Sequence, residues 1–152
     1  MSLFAALAAA GILAGAAGPG AASAGTVPAP AETAHVSLTV TGLRSTKGRV
    51  MACLTARPNA FPDCAKDPQA RLASGPASAA SVHLEFGAVP PGRYAISAFH
   101  DENDNGRLDK SLMIPREGYG FSRDAPVHFG PPSFASAAFA VRTPSGVPMA
   151  SA

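Results

Sequence analysis

Proline and glycine punctuate this chain closely: its 152 residues hold 15 of each, spread over most of the length. Proline inside a helix removes a backbone donor and clashes with the preceding turn, and glycine there costs about 1 kcal/mol relative to alanine. A helical bundle is therefore disfavoured, and short strands joined by many turns are favoured. The length suits one domain of ordinary size. A net charge of +2 argues against a broad nucleic-acid surface.

Between the breakers, apolar residues recur with period two. Val36, Leu38 and Val40 alternate with Ser37, Thr39 and Thr41, the pattern of a half-buried strand. Ser45 to Gly48 reads as a turn. Arg49–Thr55 reads as a second strand with Val50, Ala52 and Leu54 on one face, so these two strands are expected to form a hairpin. Residues 56–80 contain four prolines and read as an irregular connection with room for one short strand. Val82, Leu84 and Phe86 mark a further strand, and Val89-Pro90-Pro91-Gly92 marks a turn of type II with glycine at positive φ. Tyr94, Ile96 and Ala98 then share a face of the strand running to His100. Residues 101–133 are a long polar excursion, and Phe134–Arg142 reads as the last strand. The expected fold is all-β: a small antiparallel β-sandwich over residues 34–142 with one long loop excursion.

The ends differ from this domain. Residues 3–17 are apolar and rich in alanine, Gly18-Pro19-Gly20 breaks them, and Ala22-Ser23-Ala24 precedes Gly25. Small residues at that spacing suit a signal peptidase, so residues 1–24 are expected to be a signal peptide, 25–33 a linker and 143–152 a disordered tail. The n-region lacks a basic side chain, which reads as a weak signal or a start that lies upstream; an uncleaved membrane anchor is the alternative reading of the segment. After signal removal no membrane span is expected. The chain is placed in the periplasm or outside the cell. Its two cysteines, Cys53 and Cys64, agree with that address: an even count in an exported chain reads as a disulfide, whereas a cytosolic protein would keep two thiols.

The most chemical segment is His100-Asp101-Glu102-Asn103-Asp104-Asn105-Gly106-Arg107-Leu108-Asp109. Asp101, Asn103, Asn105, the Arg107 carbonyl and Asp109 stand where a calcium loop places its oxygens, with glycine at the sharp turn. Leu112 occupies the position where an EF-hand has its bidentate glutamate, and neither flank is helical, so an EF-hand is rejected. Calcium is the cofactor expected here, with Glu117, Asp104, Glu102 or water completing the shell. The competing reading is a loop whose Asp and Asn side chains cap their own backbone. The same carboxylates can be neutralised by Arg107, Lys110 and Arg116.

The run from Pro90 to Val141, through His100–Asp109, Ile114–Ser122 and Gly130–Phe134, resembles the bacterial domain-of-unknown-function family 2141. The strand containing Cys53 and the segment Phe61-Pro62-Asp63-Cys64 also fit. The resemblance covers about residues 35–142 and departs at Met113, where the usual residue is glycine. It implies an exported protein without an established activity. It also implies an immunoglobulin- or transthyretin-like β-sandwich, with a likeness to carboxypeptidase-regulatory-like domains.

Two functional classes follow. The first is a non-catalytic exported module that binds a protein, peptide or glycan at its loop end, with Tyr119, Phe121 and Phe134 as contact candidates; the same rings can instead close the core. The second is a small periplasmic hydrolase built on His100 and Asp101, or on His128 with Ser122 and Asp124. No nucleophile elbow is present, so no catalytic residue is assigned. Zinc held by His35, His83, His100 and His128 matches no ligand spacing.

Overall fold

The structure is a computed structural model and describes residues 31–78 and 81–143. The expected signal peptide, most of the linker and nearly all of the tail fall outside these residues. The elements are β1 (Ala34–Thr41), β2 (Arg49–Thr55), β3 (Arg71–Pro76), β4 (Ser81–Val89), β5 (Gly92–Asp101), β6 (Lys110–Ser111), β7 (Ile114–Pro115), β8 (Tyr119–Phe121), a 3-10 turn at Ser122–Asp124, α1 (Phe134–Ala137) and β9 (Phe139–Val141).

All pairings are antiparallel. One sheet is β1-β4; the other runs β3-β2-β5-β8, with β9 also on β5. Val36, Val82, Leu84, Phe86 and Val89 from the first meet Val50, Ala52, Leu54, Ile96 and Val141 from the second in one core. The fold is thus an all-β pair of facing sheets, not a closed barrel.

Three expectations are corrected. β1 and β2 do not form a hairpin: β1 pairs with β4, and β2 lies between β3 and β5. The linking turn crosses between sheets, and alternation along one strand carries no information about its partner. Phe134–Ala137 is a single helical turn, with the Ser133 hydroxyl accepting from the Ser136 N–H at 3.2 Å, so the last strand shrinks to Phe139–Val141. Gly92 does not take positive φ. It opens β5 against the Tyr94 ring, where a Cβ would approach to 3.3 Å. The Tyr94 hydroxyl donates to the Pro90 carbonyl at 2.9 Å and ties the inter-sheet turn shut.

A bulge explains how β4 fills the core. Its register shifts opposite Val36/Ser37, and Gly87 sits there at φ +79°. The extra residue reverses the pleat, so Val89 faces inward although it is an odd number of residues from Phe86.

β2 and β5 are covered on both faces. Cys53 and Cys64 are joined by a disulfide that draws the 56–70 connection over the outer face. Phe61, Phe121 and Phe134 pack there around Ala95, Ala125 and Ala137. The Ser97 hydroxyl donates to the Pro62 carbonyl within the same layer. The second half of the excursion therefore lies against the sheet face as well as beyond its end.

Candidate functional site

Asp101 ends β5 with its side chain fully buried. Its carboxylate accepts from the Asn105 N–H at 3.0 Å and the Gly106 N–H at 2.7 Å, and Gly106 makes the turn at φ +79°. Asn103 and Asn105 each use Oδ1 to accept a backbone N–H two residues on. Both direct their amide N–H groups at Asp109, at 2.7 and 3.0 Å. Those amide bonds, Asn105 first, hold the Asp109 carboxyl below its ordinary range, with Arg107 and Arg116 adding to the effect and desolvation opposing it. The four side chains named for calcium are brought together, with two amide donors turned toward Asp109.

Glu117 is buried and accepts from the Glu102 N–H at 3.0 Å and the Asp109 N–H at 2.9 Å, pinning both limbs of the loop. Glu102 pairs with Arg44, whose hydrogen bond dominates the lowering of its pKa, and it also accepts from the Ser45 hydroxyl at 3.3 Å. Asp104 pairs with Arg49 at 2.8 Å. The direct ion pairs to the loop thus come from the β1–β2 turn and β2, while Arg107 and Arg116 act on Asp109 through space without pairing. Sequence reasoning missed Arg44 and Arg49 because they lie more than fifty residues away in the chain.

His100 points to the opposite face of β5 from Asp101, and its Nε2–H donates to the Lys47 carbonyl at 2.7 Å. The pair considered for hydrolysis is not assembled. In the second arrangement considered, the Ser122 hydroxyl donates to the Ala137 carbonyl at 2.7 Å and accepts the Ile96 N–H at 2.9 Å, while no hydrogen bond joins it to His128 or Asp124. Of the other histidines, His83 contacts Thr39 and Glu85. Among the described residues no three His, Cys, Asp or Glu side chains converge as a group able to hold a metal ion.

A second site missed from sequence is Asp67. It is buried and accepts from the Thr55 hydroxyl at 2.5 Å and the Gln69 N–H at 2.9 Å, with Arg57 at 3.3 Å. The Thr55 bond is the main cause of its lowered pKa; desolvation works against it, and Gln69 and Arg57 reinforce it. This carboxylate fastens the disulfide loop to the end of β2. The only sequence signal was one of two aspartates, Asp63 and Asp67, in a Pro-rich loop, which is weak.

The three aromatic candidates part company. Phe121 and Phe134 sit edge-to-face with Phe61, at centroid separations of 5.6 and 6.1 Å. Tyr119 is 41% exposed. Tyr119 and Phe121 also line a cleft of about 640 Å³ between β1 and β8. Its apolar lining includes Leu38, Val40, Val50, Ile96 and Ala98, and its polar lining includes Thr39, Arg44 and Asp124. Among the described residues β1 pairs only with β4, and β8 only with β5. The cleft is therefore bordered by two free strand edges.

The chain matches, over residues 38–147, the family described as "Uncharacterized protein conserved in bacteria (DUF2141)". It belongs to that family. No curated protein and no solved structure matches it. Most of the polar residues that carried the resemblance to DUF2141 are here occupied in building the loop. Asp101, Asn103, Asn105, Asp109 and Glu117 satisfy one another or the backbone, and His100 anchors the Lys47 turn. Met113, where the chain departs from the resemblance, takes φ +69°, a conformation that glycine adopts without steric cost.

Proposed function

We propose that this DUF2141 protein is an exported, non-catalytic binding module that holds an extended peptide in the cleft between β1 and β8. The observation that carries this reading is the pair of free strand edges bordering one apolar-lined cleft. A free edge presents unpaired N–H and C=O groups. A peptide added as a strand supplies their partners, and its alternate side chains enter the cleft. Tyr119 contributes an amphipathic ring at the rim. Export is supported by the signal-like residues 1–24 and by the Cys53–Cys64 disulfide. The non-catalytic reading is supported by the structural hydrogen bonds that occupy His100, Asp101 and Ser122.

Hydrogen exchange with a panel of Val- and Thr-rich peptides and soluble oligosaccharides tests the assignment. Peptide-dependent protection of amides in 38–41 and 119–121 is expected. Protection confined to other segments, or protection by an oligosaccharide alone, would overturn the peptide assignment. Turnover of generic ester or peptide substrates that is lost in Ser122→Ala, with the fold retained, would overturn the non-catalytic one.

We further propose that the 101–109 loop takes up calcium weakly, in the range of about 10⁻⁴–10⁻³ M typical of extracellular modules. The reading rests on Asp101, Asn103, Asn105 and Asp109 gathering in one loop; the weakness follows because an ion must displace both amide donors from Asp109. Titration calorimetry with calcium chloride is expected to show weak heat that Asp109→Ala abolishes. No heat at millimolar calcium would leave the loop self-capped.

A further inference from the structure

Beside the acidic loop stand an apolar tip and three basic side chains that make no direct ion pair among the described residues. β6 and β7 form a two-residue hairpin whose central residues, Leu112 and Met113, take φ +50° and +69°. Such a turn favours asparagine and glycine, because both positions need positive φ. Here it carries two large apolar side chains, and they point outward: Leu112 is 94% exposed, Met113 87% and the adjoining Ile114 69%. Backbone strain combined with apolar exposure is unfavourable to folding, so a demand outside the fold is indicated. Beside the hairpin stand Arg107, Lys110 and Arg116. None makes an ion pair among the described residues: Glu102 and Asp104 are taken by Arg44 and Arg49, and Arg107 and Arg116 act on Asp109 only through space.

We propose that this hairpin is a wedge that inserts Leu112, Met113 and Ile114 into the interfacial region of an anionic lipid bilayer, with Arg107, Lys110 and Arg116 lying against the headgroups. The charge pattern selects the occupant. A protein interface of standard size covers about 800 Å² per partner, whereas this tip is three exposed apolar residues flanked in the chain by Arg107, Lys110 and Arg116. A lipid surface needs only a shallow apolar insertion and basic residues within a Debye length of the headgroups. Binding of this kind is reversible and sensitive to salt. It is independent of the peptide cleft.

The chain contains no tryptophan, so Met113→Trp in the full-length protein creates one reporter at the tip. Leu72→Trp, at an exposed position on β3 (76%), is the control away from it. Each is mixed with vesicles of phosphatidylcholine, alone or with phosphatidylglycerol. A blue shift of the tip reporter is expected only with phosphatidylglycerol, fading as salt rises from 0.1 to 1 M and the Debye length falls from about 10 to about 3 Å. Adding Lys110→Glu or Arg116→Glu is expected to weaken the response at least about fivefold each. The proposal is overturned by an unshifted tip reporter, by equal shifts at both positions, or by indifference to salt. A blue shift without vesicles that grows with protein concentration also overturns it, and assigns the tip to a second copy of the chain.

Discussion

Gly48 adopts φ +68°, and a Cβ built there would run into the Asp101 carbonyl. The Asp101 O and C and the Glu102 C that it would meet are all backbone, so none yields to a rotamer change. Gly48→Ala is expected to destabilise the domain by more than about 2 kcal/mol, the left-handed conformation alone costing about 1–2. Urea unfolding measures it, and a change under about 1 kcal/mol would mean the turn relocates. The carboxylates act through pH. Asp67, Glu102 and Asp109 have lowered pKa values in the folded state. Their stabilisation is therefore complete above the unfolded values of about 3.9 for Asp and 4.3 for Glu, and is lost as pH falls through the lower folded values. Thermal midpoints are expected to hold from about pH 7 to 5 and to drop below about pH 4. Asp67→Asn should shallow that drop.

At the scale of elements, two segments are held by features that can be removed singly. The disulfide closes a loop of sequence separation 11 over the outer face of β2. Replacing both cysteines by alanine is expected to cost about 2–3 kcal/mol in the loop-entropy account. The Thr55–Asp67 bond should keep the segment docked, and limited proteolysis of 56–70 reports whether it does. The β6–β7 hairpin shows the opposite balance. Met113→Gly restores the residue that its φ of +69° suits, so a gain of about 1 kcal/mol is expected in denaturant titration. A stabilising substitution at a fully exposed position would agree with a tip whose side chain acts outside the fold.

Across the whole molecule, one core joins two unequal sheets. Leu54 is 1% exposed within it, beside residues from both sheets. Leu54→Ala is expected to cost about 3 kcal/mol, and to lower a single transition seen alike by circular dichroism and tyrosine fluorescence. Two separated transitions would show that the sheets unfold independently. The two ends of the described residues also meet, where the Thr143 hydroxyl donates to Glu32 at 3.0 Å. The polar excursion is integrated into the same body: Gly118 accepts from the His100 N–H at 2.7 Å, and Ser122 bridges β5 to α1.

Alternation with period two placed β1, β2, β4 and β5, because a strand with one buried face must repeat every second residue. The cysteine count pointed to the bridge, and the spacing of Asp101, Asn103 and Asn105 before Gly106 marked a tightly wound loop. Local patterns of this kind record which way a side chain faces. They do not record what it meets. The tertiary structure decided that β1 belongs with β4, that Arg44 and Arg49 pair with Glu102 and Asp104, and that Asp109 faces two amides. It turned Phe134 into an outer-face core residue and left Leu112 and Met113 outside. Each of those outcomes depends on segments far apart in the chain arriving at one place, which no local periodicity encodes.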